Sequence, residues 1–274
     1  MRATVFGAGN IGRGLVGAVL ADSGYELTYI DVNSDLVSTL NERRSFTLET
    51  DETRRSFVID RAIDARDDEA AAAAVAEADL VATAVGAPIL AVVAPAIAAG
   101  LLSRQTKDVN VIACENVHPN STALRDYVIQ TAGADAAAGV GFPNVVVDRI
   151  VPGDPGSLEL FAESSFEFVV AKQHWVGKIP ESTAIVFTDQ LEAYKLRKLW
   201  LVNGLHVLTA WLGLDRGHLF IHDAIGDEKV LELLTSASRA ASTALTAKTD
   251  EFDPADLASY ADRSIRRFTS ARLA

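Results

Sequence analysis

Short apolar runs and helical stretches alternate through the N-terminal half of the chain. Residues 4–6, 26–30, 80–84, 110–113 and 138–141 read as short strands. Between the first two, Ile11, Leu15, Val19 and Leu20 recur at helical spacing until Gly24 stops the pattern. The alanine-rich runs at 70–76 and 87–102 read as packed helices, and the polar, weakly alternating segment 41–64 predicts a small hairpin insertion. Such alternation predicts an α/β fold built on a doubly wound parallel sheet.

After Gly141 the pattern changes. Phe142-Pro143-Asn144 and Pro152-Gly153-Asp154-Pro155-Gly156 mark loops, and residues 158–161 and 166–170 read as strands. From Leu191 onward the spacing is helical. One helix over 190–211 carries Leu191, Tyr194, Leu199, Val202 and Leu205, and Gly213 and Gly217 break it. A second runs from about Asp223 to Ala247. A third starts at Pro254 behind Asp253 as cap and carries Leu257, Tyr260, Ile265 and Phe268. The expected organisation is an N-terminal sheet domain over 1–150 and a mostly α-helical domain over 151–274, the boundary falling within 142–190.

The junction of the first strand and helix carries candidate chemistry. Gly7-Ala8-Gly9-Asn10-Ile11-Gly12 is G-x-G-x-x-G, and the second strand ends in Asp31. In the Rossmann pattern the first glycine permits the turn, and the second lets a pyrophosphate approach the backbone. The third brings helix and strand together, and the helix N-terminus offers free N–H groups. Asp31 would accept hydrogen bonds from the adenine ribose and repel a 2′-phosphate. Val32-Asn33-Ser34 supplies no Arg or Lys to accommodate one, so NAD is favoured over NADP. The plainer reading is a tight turn, with Asp31 capping the next helix. Ligands in such sheets bind over the carboxyl ends of the strands, which places Val85 and Gly86 near the cofactor.

Composition narrows the classes. A net charge of −12 argues against a nucleic-acid partner and against an anionic membrane surface. No apolar run reaches membrane-spanning length. The single cysteine, Cys114, excludes an internal disulfide and fits a reducing cytoplasm. The 274 residues suffice for two domains.

A second constellation lies in the 190–211 helix, where Lys198, Asn203 and His206 stand in an otherwise apolar stretch. On an α-helix at about 100° per residue, Lys198 and Asn203 point about 140° apart, and His206 lies about 80° from Lys198. A lysine desolvated there would have a lowered pKa and could exchange a proton with an alcohol, while an Asn amide donates to an oxyanion. Spacing alone equally allows a snorkelling lysine, an asparagine bonded to backbone and a core or boundary histidine.

Four stretches occur in order: GAGNIGRG from Gly7, VIACEN from Val111, VDRIVP from Val147, and Lys198-Leu199-x-x-x-Asn203-x-x-His206. Asp223-Ala224-Ile225-x-Asp227-Glu228-Lys229 follows. Together they resemble the polyol-specific long-chain dehydrogenases, the mannitol dehydrogenase family. The resemblance implies a metal-independent, NAD-linked cytoplasmic oxidoreductase acting on a small sugar or polyol phosphate, mannitol 1-phosphate against fructose 6-phosphate. It makes Lys198 the general acid/base, has Asn203 and Asn144 polarise the carbonyl oxygen, and has His206 position Lys198. Glu115 and Asn116 would border the nicotinamide, while Asp148 and Arg149 would form a structural ion pair between the domains. Lys195 and Arg197 are the first candidates for the substrate phosphate, with Arg149, Lys172, Arg216, His218 and His222 behind them. An unphosphorylated polyol, a hexuronate, or NAD(H) binding without turnover are the alternatives. Family members run on past the point where this sequence ends. An Arg-Phe-x-Asn-Pro motif is met here only by Arg267-Phe268, which predicts an incomplete helical domain.

Overall fold

The computed structural model describes residues 1–104 and 108–270. The chain divides into two compact units, Met1–Asp189 and Gln190–Ala274.

The first unit opens with β1 (Arg2–Phe6), a π-helical turn (Gly12–Gly17) that continues into α1 (Ala18–Asp22), β2 (Glu26–Asp31) and α2 (Ser34–Arg43). A hairpin of β3 (Ser45–Glu49) and β4 (Arg54–Val58) follows, then β5 (Arg61–Asp64), α3 (Asp68–Ala76), β6 (Leu80–Thr83), α4 (Leu90–Leu102), β7 (Asn110–Ala113) and α5 (Asn120–Ala132). The main sheet is parallel in the order β5-β2-β1-β6-β7. Alternate residues feed two cores, as the period of two requires. Val5, Leu27, Tyr29, Ala82 and Ile112 enter one, and Phe6, Ile30, Val81, Val111 and Ala113 the other. Both faces are buried, which is why these strands read as continuous apolar runs.

The remaining strands of this unit are β8 (Val145–Asp148), β9 (Glu159–Phe161), β10 (Glu167–Ala171) and β11 (Val186–Thr188). They form one small sheet, β11-β10-β8, and add β9 to the hairpin as β4-β3-β9. The boundary expected at 150 is thereby corrected to Asp189/Gln190. Strands β9 and β10 pair with β3 and β8, so they belong to the sheet unit. A second correction concerns residues 138–141. Gly139 takes a left-handed φ of 69°, and only Gly141 bridges to Asn110, so no strand forms. The fifth strand of the main sheet is β5 instead. The hairpin expected within 41–64 is present.

The second unit is helical. It comprises α6 (Leu191–Lys198), a π-helical turn (Leu199–Gly204), α7 (Leu205–Asp215), α8 (Ile221–Ala224), α9 (Glu228–Lys248) and α10 (Pro254–Arg267). Its two clusters centre on Leu201, Leu245, Phe252 and Leu257, and on Leu205, Val230, Leu234 and Phe268. Asp227 caps α9 by accepting from the N–H groups of Lys229 and Val230, and Asp253 caps α10 by accepting from that of Ala255. The second predicted helix is thus two elements, α8 and α9. Gly213 does not break α7. A Cβ there would lie 2.6 Å from that of Ala224, so the glycine serves close packing of α7 on α8. Gly217, at φ 86°, makes the turn that follows. Among the described residues no helix is long and apolar enough to cross a membrane.

Candidate functional site

The glycine loop sits where the strand order reverses, since β1 has β2 on one side and β6 on the other. Gly7 has φ 92°, and a side chain there would strike the carbonyl of Ala84. A Cβ on Gly12 would overlap the carbonyl oxygen of Gly7. Gly9 differs: its nearest potential neighbour is the Pro155 Cβ at 4.0 Å, so the protein itself does not require a glycine there. The space above it is open to a ligand. Asp31 stands beside this cradle. Its carboxylate accepts from the N–H of Ala8 at 2.6 Å and from that of Asn33 at 2.9 Å, which fixes the loop and still leaves lone pairs for a ribose. A dinucleotide fits these residues: an open glycine, a helical N-terminus and a carboxylate at the end of β2.

Two side chains hold a strap across the loop. Asn10 donates its amide to the carbonyl of Gly153 at 2.9 Å, while its own buried oxygen has no protein partner. Arg13 is fully buried and donates to the carbonyls of Ala8, Pro155 and Ser157. Its guanidinium is held below the ordinary arginine range, chiefly by desolvation. Sequence reasoning missed Arg13, and its position one residue past Gly12 was the available signal. Half-buried Ile11 packs on the first core.

The loop after β6 carries Val85 and Gly86, the latter at φ 90°. Glu115, at the end of β7, is 5% exposed, and its carboxylate accepts from the Thr83 hydroxyl at 2.7 Å and the Val85 N–H at 2.9 Å. The carboxylate expected to border the nicotinamide also shapes the Val85 loop. Asn116 beside it is exposed. Burial raises the thiol of neighbouring Cys114 well above its usual range. Asn144 joins β8 to α5: its Nδ2 donates to the Thr122 hydroxyl at 2.9 Å, and its Oδ1 accepts from the Thr122 N–H. Arg149 works inside the first unit, donating to the carbonyls of Gly14 at 2.8 Å and Glu163 at 3.0 Å.

In the second unit Lys198 closes α6, and Asn203 lies in the π-helical turn that follows. A π turn bonds i to i+5, so residues five apart approach one face. Lys198 and Asn203 are such a pair, and the wide arc expected from an α-helical wheel is corrected accordingly. Both are half-buried. His206 is exposed, one turn further on, and its ring meets Phe268 edge-on at 5.2 Å. Of the two residues proposed for a phosphate, Arg197 lies over the rings of Tyr194, Phe252 and Tyr260 at 4.7, 4.3 and 4.3 Å. That cage commits its guanidinium to packing. Lys195 pairs with Glu192 at 2.6 Å. Four of the further candidates also meet carboxylates, Lys172 with Asp189, Arg216 and His218 with Asp227, and His222 with Asp223, while Arg149 donates to backbone carbonyls.

An open glycine cradle at the switch point of a parallel sheet, with a helical unit following in sequence, defines a Rossmann-type dinucleotide-binding protein of two units. Residues 1–183 match the model of the mannitol dehydrogenase Rossmann domain, and residues 190–274 match that of the mannitol dehydrogenase C-terminal domain. The chain is 39% identical over 285 aligned positions to a mannitol-1-phosphate 5-dehydrogenase of Brevibacillus brevis, covering all of this chain and 74% of that one. Among solved structures it resembles a substrate-free D-sorbitol dehydrogenase (TM-score 0.80, 16% identity, 99% of this chain and 70% of the other). It also resembles the Pseudomonas fluorescens mannitol 2-dehydrogenase in ternary complex with NAD and D-mannitol (TM-score 0.75, 18% identity, 98% and 69%). The chain belongs to the mannitol dehydrogenase family, and it is a polyol dehydrogenase.

Proposed function

We propose that the chain is an NAD-dependent dehydrogenase that interconverts mannitol 1-phosphate and fructose 6-phosphate. The observation that carries this reading is the 39% identity, along its whole length, to a mannitol-1-phosphate 5-dehydrogenase. The backbone of Gly7, Gly9, Asn10, Ile11 and Gly12 would receive the pyrophosphate, and Asp31 the adenine ribose. Val85 and Gly86, held by Glu115, would wall the nicotinamide end, with Asn116 beside them. NAD, when bound, supplies the hydride acceptor.

The protein's own part in the chemistry is proton handling and charge stabilisation. Lys198 takes the proton from the substrate hydroxyl during oxidation and returns it during reduction. The Asn203 amide donates to the oxygen that gains charge, a role the family resemblance also gives Asn144. His206 orients Lys198. The buried Cys114 thiol suits a reducing compartment, and the proposed location is the cytoplasm.

The test is NADH oxidation by the purified chain with fructose 6-phosphate, beside fructose and fructuronate. Turnover on fructose 6-phosphate alone, abolished by Lys198→Ala with NADH still bound, is the expected result. Preference for fructose or fructuronate would overturn the phosphorylated substrate. Retained turnover in Lys198→Ala would remove the lysine from its role.

A further inference from the structure

Strands β2 and β5 run side by side in register, with Asp31 opposite Asp64. Two carboxylates therefore leave neighbouring strands about 4.8 Å apart at the carboxyl end of the sheet. Just beyond, the chain turns and brings Arg66 back onto Asp64. The Arg66 Nε donates to one carboxylate oxygen at 2.8 Å and its Nη2 to the other at 2.5 Å. The same Nη2 meets the hydroxyl of Ser34, which itself donates to Asp64 Oδ2 at 2.9 Å. Ser34 is the first residue of α2, three positions after Asp31.

A guanidinium and a hydroxyl at the start of the helix after β2 form the kind of donor set that a ribose 2′-phosphate takes. The segment after β2 contains no cation, but the neighbouring strand delivers one. In this chain the donors are already filled by a carboxylate. We propose that Asp64 is a second determinant of cofactor choice, occupying the Arg66–Ser34 anion site in place of a 2′-phosphate. Asp31 repels the phosphate, and Asp64 denies it a landing place. Arg66 and Ser34 hold the Asp64 carboxyl well below the usual carboxylate range, so it stays ionised throughout the working pH range. Ser34 and Arg66 are open to solvent, the Arg66 side chain 67% exposed, while Asp64 is half-buried and also accepts from the Arg66 backbone N–H at 3.0 Å. This inference rests on the reading of Asp31 as the ribose acceptor.

Calorimetric titration of the full chain with AMP and with adenosine 2′,5′-bisphosphate tests it without turnover. The readout is the ratio of the two dissociation constants. The unaltered chain should favour AMP. Asp64→Ser should shift the ratio towards the bisphosphate by about tenfold or more, as expected for a freed charge-assisted hydrogen bond. Adding Arg66→Ala to that variant should reverse the shift. An unchanged ratio in Asp64→Ser, with AMP still bound, overturns the proposal. A shift that Arg66→Ala fails to reverse also overturns it, because repulsion alone would then be acting. If the unaltered chain binds neither nucleotide, the dinucleotide reading itself falls, and this inference with it.

Discussion

Gly9 and Gly12 lie three residues apart in one motif, yet they answer to different constraints. A methyl group on Gly12 would overlap the Gly7 carbonyl, whereas one on Gly9 would meet only Pro155 at 4.0 Å. Gly12→Ala should therefore cost about 1–3 kcal/mol in denaturant unfolding, the usual toll of overpacking. Gly9→Ala should leave the unfolding free energy within about 0.5 kcal/mol of the parent. It should still weaken NADH binding by about tenfold or more, because the methyl occupies the space left for phosphate. Equal destabilisation of both would mean that Gly9 has a packing role. At this scale the sequence was partly legible. Local roles, such as those of the glycines and of Asp31 at a strand end, follow from spacing. Long-range partners do not. Arg13 reaches carbonyls some 140 positions away, and Arg66 reaches Ser34 only because β5 lies beside β2. Glu115 looked exposed to a ligand from its place at a strand end, but Thr83 and Val85 claim its carboxylate.

Helix ends and helix periods decide what the second unit can present. The Asp253-Pro254 start of α10 was legible because capping is local chemistry, and the Asp253 carboxylate does accept from the Ala255 N–H at 2.8 Å. Asp253→Ala should destabilise the unit by about 1 kcal/mol, with Asp253→Asn nearly harmless. Thermal unfolding followed by circular dichroism would read the difference, and an equal loss in both variants would assign the effect to charge. The π-helical turn after Lys198 was not legible. Nothing in Leu199-Trp200-Leu201-Val202-Asn203-Gly204 distinguishes a π from an α turn by hydrophobic pattern, since one extra residue per turn is set by packing on both sides. That single residue changes which side chains share a face. The candidate catalytic group could therefore be named from the sequence but not arranged.

At the scale of the molecule, the apolar clusters respect the division at Asp189. Among the described residues two clusters draw on residues before it and two on residues after it. The parallel class of the sheet was readable from strand–helix alternation, but its fifth strand and the boundary were not, because β5 and β8 to β11 are short and find their partners far from them in sequence. Titration should report on the first unit. Burial, helped by Asp79, pushes the Tyr25 phenol up from 10.0 to about 12, and burial raises the fully enclosed Tyr29 further. A phenol whose pKa is higher in the fold than in the unfolded chain contributes fully below pH 10. That contribution is lost as the pH rises from 10 towards 12. Tyr25→Phe should flatten the loss of stability over this window, and an unchanged alkaline slope would show that Tyr25 does not titrate with unfolding. Strand β3 adds a temporal consequence. One of its edges is completed by β9, more than a hundred residues later. At ribosomal rates of about 5–20 residues per second, that edge waits on the order of ten seconds for its partner to be synthesised. The nascent hairpin spends that interval with an open strand edge bearing Phe46 and Leu48, a template for unwanted pairing that a chaperone could cover.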